Sequence, residues 1–360
     1  MASYSQRLLQ AIRSTTREVS LMEVCGTHTM AIARSGIREL LPPNIRLLSG
    51  PGCPVCVTSQ GDIDSVIEMV RRKEVILITF GDMMRVPGTR GSLQEERSRG
   101  ADVRVVYSPL EALRIARNNP QREVVFLGIG FETTVPAVAV TLEEAREAGL
   151  HNLSLFSLHK LVPPALELIL SDPEVRVDGL ICPGHVTAVT GLRPYETLAQ
   201  KYRKPCVVTG FEPVEILEGI VMLIHQLQNS SAKAEIQYKR VVKPEGNPAA
   251  VDAIWRVFQT APSRWRGLGM IPDSGLQLRD EYAAMDARRK FNLPEIEDIP
   301  IKGCICGAVL TGKSIPTDCA LFGRSCTPLA PVGPCMVSQE GACAAYYRYA
   351  PGKGRCSYEN

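Results

Sequence analysis

The chain has 360 residues, 45% of them hydrophobic, with a formal net charge of +3. That length suits two or three domains with sizeable cores, and the charge is too small to imply nucleic acid or an anionic membrane as partner. No apolar run reaches bilayer length, and the polar N-terminus MASYSQRLLQAIRSTTREV has no signal-peptide core. A cytoplasmic protein without membrane association is therefore expected.

Residues 3–20 have helical periodicity, with Leu8, Leu9, Ile12 and Val19 on one face. MEVCGTHTM follows and puts Cys25 three residues before His28. Thiolate and imidazole are the usual ligands of borderline metals, but two groups cannot fill a coordination sphere. A partner chain or small molecule would have to complete it. A buried cysteine beside a capping histidine is the plainer alternative. After a predicted strand at Ile45–Leu48, GPGCPVC carries the C-x-x-C pair Cys53 and Cys56. This is the spacing of thiol–disulfide redox motifs and of half a zinc site, with no second C-x-x-C to complete one. Gly52 and Pro54 predict a tight turn at a helix start, where the dipole favours thiolate.

Further strands are predicted at Val75–Phe80, Val103–Tyr107, Val124–Ile129, Leu153–Leu158, Gly179–Cys182 and Cys206–Thr209. Helical stretches at Gly61–Arg72, Leu110–Asn118, Pro136–Ala148 and Pro213–Gln228 alternate with them, which implies parallel sheets covered on both faces. The loop GIGFETT lacks the third glycine of a dinucleotide fingerprint, and no Walker loop is present. Glu132 there suits a general base, an outer partner of a ligand, or a helix cap. His185 in CPGHVTAVTG sits on a similar strand-end loop, where a structural histidine is the alternative.

Three blocks, RLLSGPGCPVC, VILITFGDMMRVPG and VVFLGIGFETTVPAVAV, echo as LSLFSLHKLVPPAL, DGLICPGHVTAVTG and CVVTGFEPVEILEGI. The shared GFE at Gly130–Glu132 and Gly210–Glu212 is the clearest match. The expected fold class is α/β: two related parallel-sheet domains, 21–149 and 150–232, around a cleft fed by strand-end loops. Residues 1–20 and 233–360 are expected to form a smaller cysteine-rich third domain. In it, AIWRVFQ and EYAAMDARRKF are predicted helices around a Pro- and Gly-rich stretch.

That third region ends in Cys319-x6-Cys326-x8-Cys335-x7-Cys343. Wide single spacings are unlike the C-x2-C pairs of zinc ribbons and suit a [4Fe–4S] cube; zinc, disulfides and unrelated buried cysteines remain the alternatives. Cys304 and Cys306 compete for ligand roles. Cys182, Cys206 and Cys356 read as ordinary. In a reducing compartment, twelve cysteines are expected to stay reduced unless they bind metal or do redox chemistry.

Together MEVCGTHT, GPGCPVC, TFGDMMRVPG, GFETT, PGHV and the run from Asp318 to Tyr349 resemble the HypD family of hydrogenase-maturation proteins. Ala308 departs from the acid the family often has after CICG. The resemblance implies two α/β domains and a third with a [4Fe–4S] cluster. It implies a stable complex with HypC, forming the scaffold on which Fe(CN)2(CO) of [NiFe]-hydrogenase is assembled, with cyanide delivered transiently by HypE as a thiocyanate. The family's iron-site cysteine falls on Cys25, with His28 beside it. The redox pair falls on Cys53 and Cys56, and the cluster ligands on Cys319, Cys326, Cys335 and Cys343. Glu132 and His185 are then candidates for proton handling or for orienting a ligand. A cluster-containing reductase of protein disulfides is the competing expectation.

Overall fold

The structure, a computed structural model, describes residues 3–350; Cys356 lies outside the described residues. The strands are β1 Val19–Glu23, β2 Ile45–Ser49, β3 Val75–Thr79, β4 Val103–Val105, β5 Glu123–Gly130, β6 Leu153–His159, β7 Gly179–Pro183, β8 Cys206–Thr209, β9 Ala234–Ile236, β10 Phe258–Trp265 and β11 Gly269–Leu278. β3, VILIT, is buried at every position, as a strand covered on both faces requires.

The described residues fall into two compact units. The first takes the chain through Cys53, then Ala165–Asn247, then Lys302 onward; the second takes Pro54–Pro164 and Pro248–Ile301. The first is built on a parallel sheet of order β2-β1-β7-β8-β9, the second on a parallel sheet of order β4-β3-β5-β6 with the antiparallel hairpin β10-β11. The α/β class with parallel sheets is thus present, together with a cysteine-rich region from Lys302 onward.

The consecutive boundaries expected from sequence differ from this division. β1 pairs with β7 through Leu21↔Gly179 to Glu23↔Ile181, so the first two strands join a sheet whose other strands begin only at Gly179. The N-terminal helix stops at Arg13, and Val19 opens β1 instead of ending that helix. Ser14 caps it, its hydroxyl donating to the Ala11 carbonyl. Leu8 and Ile12 then enter one core with Leu21, Ile32, Ile216, Ile220 and Leu223. The segment after Ser230 is likewise divided between the units. AIWRVFQ gives the helix Pro248–Val257, after which Phe258 starts β10. EYAAMDARRKF is broken at Asp286, whose carboxylate caps the turn Ala287–Lys290.

Counted within each unit, the strand orders are 2-1-3-4-5 and 2-1-3-4, so the two sheets share a topology. The repeat register differs from the sequence expectation. Gly130–Glu132 follows the third strand of its sheet, β5, whereas Gly210–Glu212 follows the fourth of the other, β8. The topological counterpart of the Glu132 loop is Gly184–His185, after β7.

Candidate functional site

In a sheet of order 2-1-3-4-5, the chain leaves the first and third strands toward opposite sides, and ligands bind where their loops part. In the first unit those strands are β1 and β7. Cys25 follows β1 and is the N-cap of the helix Gly26–Ser35; His185 follows β7. Phe211 follows β8. The sequence-predicted Cys25, His28 and His185 therefore belong to one strand-end cluster.

His28 is fully buried. Its Nε2 lies 2.9 Å from the Gly210 carbonyl and 2.8 Å from the Thr209 hydroxyl oxygen. Burial holds its pKa down at about 4, so the ring is neutral near pH 7. A carbonyl only accepts, so Nε2 carries the hydrogen and Nδ1 a bare lone pair. That Nδ1 is buried without a hydrogen-bond partner. His28 stacks on Phe211 and the exposed His185 packs tilted against it, at centroid distances of 4.7 and 4.1 Å.

Cys25 remains partly exposed. Desolvation, then the nearby Glu340 carboxylate, pushes its thiol up to about 11, against the opposing pull of the His28 and Thr27 amides and the Thr27 hydroxyl. Glu340 arrives from the cysteine-rich segment. It accepts a 2.7 Å hydrogen bond from the Thr27 hydroxyl, and a Cβ on Gly26 would lie 2.5 Å from its own Cβ. On the other side, the Gly26 amide donates to the Gly52 carbonyl at 2.8 Å. Gly52 immediately precedes Cys53, so the two cysteine motifs meet backbone to backbone at this point. Glu340, Thr209 and Phe211 were absent from the sequence-derived candidates; QEGAC and the second GFE were the only signals.

Cys53 and Cys56 are both buried. The helix start predicted beside them lies further along: Ser59 is the N-cap of Gln60–Val70. Its first amides are already served, with Asp298 accepting from the Gly61 amide and the Ser59 hydroxyl. The residues from Pro54 to Thr58 form a turn instead, closed by the Thr58 hydroxyl donating to the Pro54 carbonyl at 2.9 Å.

Cys319, Cys326, Cys335 and Cys343 line one pocket in the first unit, and Cys304 and Cys306 line it too. Its other walls are apolar, including Ile305, Val309, Leu321, Phe322 and Met336. Among the described residues no three His, Cys, Asp or Glu side chains converge as on a single ion. Six thiols spread around an apolar pocket fit a sulfur-ligated cluster better than one zinc. The Val332 amide donates to Cys326 Sγ at 3.4 Å, the kind of bond that tunes cluster potential. Gly341 is required where it stands, since a Cβ would lie 2.2 Å from the Cys335 carbonyl oxygen. The same short segment, Cys335 to Cys343, thus lines the pocket and delivers Glu340 to the Cys25 loop.

Glu132 lies in the second unit, after β5, buried. One oxygen accepts from the Val162 amide at 3.0 Å and the other has no partner. Burial pushes its pKa up to about 7. Nearby, the sequence reading missed Lys160, whose buried ammonium donates to the Ser263 hydroxyl and the Arg264 carbonyl, both at 2.8 Å. Cys182 and Cys206 are core residues of β7 and β8, as expected.

The fold and the thiols together define a cysteine-rich, two-sheet α/β protein in which no helix of the described residues is long and apolar enough to cross a membrane. A family model described as "HypD: Hydrogenase formation hypA family" matches residues 3–350. The chain is 48% identical to the hydrogenase maturation factor HypD of Rhodobacter capsulatus, over 95% of this chain and 93% of that protein. It is 49% identical to the hydrogenase expression/formation protein HupD of Azotobacter chroococcum, over 92% and 90%. It is 45% identical to the HypD of Cupriavidus necator, over 96% and 94%. The chain belongs to the HypD family of hydrogenase maturation factors.

Two outcomes follow from this geometry. A Cβ on Gly52 would lie 2.3 Å from the Cys25 nitrogen, and backbone cannot yield as a flexible side chain does. Gly52→Ala is expected to cost roughly 1–3 kcal/mol in denaturant unfolding and to change the alkylation rate of Cys25. An unchanged midpoint and rate would mean the loop is slack. For Glu132, the folded protein holds a proton that the unfolded chain releases above its ordinary pKa of 4.5. Stability therefore falls as pH rises from 4.5 through about 7, and stays lowered above. Glu132→Gln should flatten that slope, by at most about 3 kcal/mol at alkaline pH. Parallel pH profiles of the urea midpoint in the two proteins would rule this out.

Proposed function

We propose that this protein, with HypC, is the scaffold on which the Fe(CN)2(CO) group of [NiFe]-hydrogenase is assembled. Iron is the cargo, held between Cys25 and a cysteine of HypC, and HypE delivers cyanide as a thiocyanate. The observation that carries the proposal is the position of Cys25. It stands at the switch point of the first sheet, partly open, beside the neutral imidazole of His28 and the Glu340 carboxylate. An incomplete ligand set with an open side is what a cargo site needs, since the partner's ligand must enter and the product must leave.

Release of cyanide from a thiocyanate needs two electrons: R–S–CN plus two electrons gives thiolate and cyanide. The Cys53/Cys56 dithiol supplies them by closing its disulfide and losing two protons, which balances the step. A [4Fe–4S] cluster, bound by Cys319, Cys326, Cys335 and Cys343, would supply single electrons to such a couple. Cys25 binds the iron through sulfur. His28, tied by Nε2 to Gly210 and Thr209, presents Nδ1 within the site and orients what binds there. His185 and Glu340 offer a proton acceptor and a charge at its open side. Burial of Cys53 and Cys56 disfavours direct reduction of bulky protein disulfides, the alternative for this motif.

Cys25→Ala is expected to remove the CN and CO infrared bands of the complex with HypC while leaving the visible absorbance of the cluster. His28→Ala should reduce the bands less, with losses on the order of 10–100-fold in loading. Bands that persist without Cys25 would place the iron elsewhere. Cys335→Ala should abolish the cluster and loosen the segment after Lys302, because a corner ligand and its folding energy are lost together. Full iron and sulfide content in that variant would mean that Cys304 or Cys306 is the ligand in its stead.

A further inference from the structure

One side chain in the first unit touches both site imidazoles and has no chemistry of its own. Phe211 stacks on His28 at 4.7 Å with a 28° interplanar angle and packs tilted against His185 at 4.1 Å and 30°. We infer that Phe211 is a positioning residue of the iron-assembly site: its ring is the platform that fixes the exposed His185 relative to the buried His28 and so to Cys25. The inference deepens the scaffold proposal and rests on it for the meaning of the site.

The platform is itself held. Tyr238 meets Phe211 edge-on at 6.0 Å and 80°. The Arg240 guanidinium lies 5.0 Å over the Tyr238 ring and pairs with Glu215 at 2.7 Å. Glu215 in turn accepts from the Glu212 amide, the residue after Phe211, at 3.1 Å. A closed circuit therefore runs from Phe211 through Tyr238, Arg240 and Glu215 back to Phe211's own neighbour. Such a circuit fixes a ring in place more firmly than packing on one side does.

The backbone leaves room for nothing else. A Cβ on Gly210 would lie 2.0 Å from Glu215 Oε2 and 2.7 Å from Tyr238. A Cβ on Gly184 would lie 2.6 Å from the Thr209 carbonyl oxygen and 2.9 Å from Tyr238. The helix start that directly follows β7 and carries His185 can approach the end of β8 this closely only because both positions are glycine. At the other end of the same tripeptide, Thr209 and Gly210 hold His28 by Nε2. Three consecutive residues, Thr209 to Phe211, thus set both imidazoles. His28 has hydrogen bonds as well as the ring. Among the described residues no hydrogen bond reaches the His185 ring, so the contact with Phe211 is its main restraint. It should be the one that moves when Phe211 changes.

The test is nitrogen NMR of the full chain labelled with 15N-histidine, feasible because the chain has only five histidines. Phe211→Leu keeps apolar volume and removes the ring. It should move the His185 ring signals toward those of a free imidazole while His28 stays a single Nε2–H tautomer. Delivery of the diatomic-bearing iron to hydrogenase should fall about 10-fold. Phe211→Tyr keeps the ring and should restore both. Unchanged His185 signals in the Leu variant, or equal loss in the Tyr variant, would overturn the inference. The nitrogen signals are read without iron. If the wild-type complex shows no CN or CO bands, the scaffold proposal fails while the His185 signals still decide the role of Phe211.

Discussion

At the end of β1 three pieces of backbone come within contact distance. Gly52 lies against the Cys25 nitrogen, Gly26 lies against Glu340, and the Gly26 amide is bonded to the Gly52 carbonyl. Side chains at these glycines would separate the pieces by ångströms. The close approach lets the loop after β1, the loop after β2 and the cysteine-rich segment share one spot. Most of the chemical groups of the first unit are arranged around it. Cys25 sits in the middle, the loop after β2 runs straight into Cys53, and the segment carrying Glu340 also carries Cys335 and Cys343. The sheet order explains why the spot is available at all. With β1 flanked by β2 on one side and β7 on the other, the connections depart in opposite directions and leave the strand ends uncovered.

Electrostatics around this spot favour neutral groups. His28 is held neutral by burial, and the Cys25 thiol is pushed toward its protonated form by burial and by Glu340. A bound cation reverses that logic, because it favours the deprotonated thiol and balances the carboxylate. A thiol held protonated in this way is a poor free nucleophile. In the second unit Glu132 follows the same rule by a different route. It has a single hydrogen bond, its other oxygen has none, and its carboxyl is shifted to the neutral side by desolvation.

What the sequence revealed follows the range of the interactions. VILIT was legible because nearly every residue is apolar and β-prone, and LSLFSLH because Leu153, Leu155, Phe156 and Leu158 form a short apolar run. The Cys25–His28 and Cys53–Cys56 pairs were legible because their spacing is local. β1 was not, since VSLME is short, adjoins the N-terminal helix and pairs with strands that begin only at Ile45 and Gly179. The hairpin β10-β11 was hidden by Pro262, Gly267, Gly269, Pro272 and Gly275, which read as loop. Its bulge between Ala261 and Ser263, and the positive φ of Asp273, accommodate those residues inside a strand pair. The partners of His28 lie 181 and 182 residues away, and Glu340 lies 313 from Thr27. No local pattern encodes such pairs; they exist only once the strand order is fixed. The GFE echo misled for a related reason, as three matching letters fell at different places in two sheets of like topology.

A second tie joins β1 to the cysteine-rich segment, and its energetics show what it is for. Glu23, the last residue of β1, is fully buried and accepts from Arg38 and from the Ser49 hydroxyl, both at 2.7 Å. Arg38 also lies 5.0 Å over the ring of Tyr346, three residues after Cys343. Desolvation raises the Glu23 pKa in spite of Arg38, so the attraction does not repay the loss of water. A buried pair of that kind adds little net stability, yet removing one partner leaves a stranded charge and costs roughly 3–5 kcal/mol. Its use is directional. An apolar pair could slide along the interface, whereas a carboxylate bonded to a guanidinium stacked on a ring fixes one register of the helix Ala342–Tyr349 against the end of β1. With Glu340 holding the start of the helix Gly26–Ser35, the cysteine-rich segment is held at two points on either side of Cys343. Its thiols and Cys25 are thereby kept in one fixed relation, which an unrestrained, loop-rich segment would not maintain.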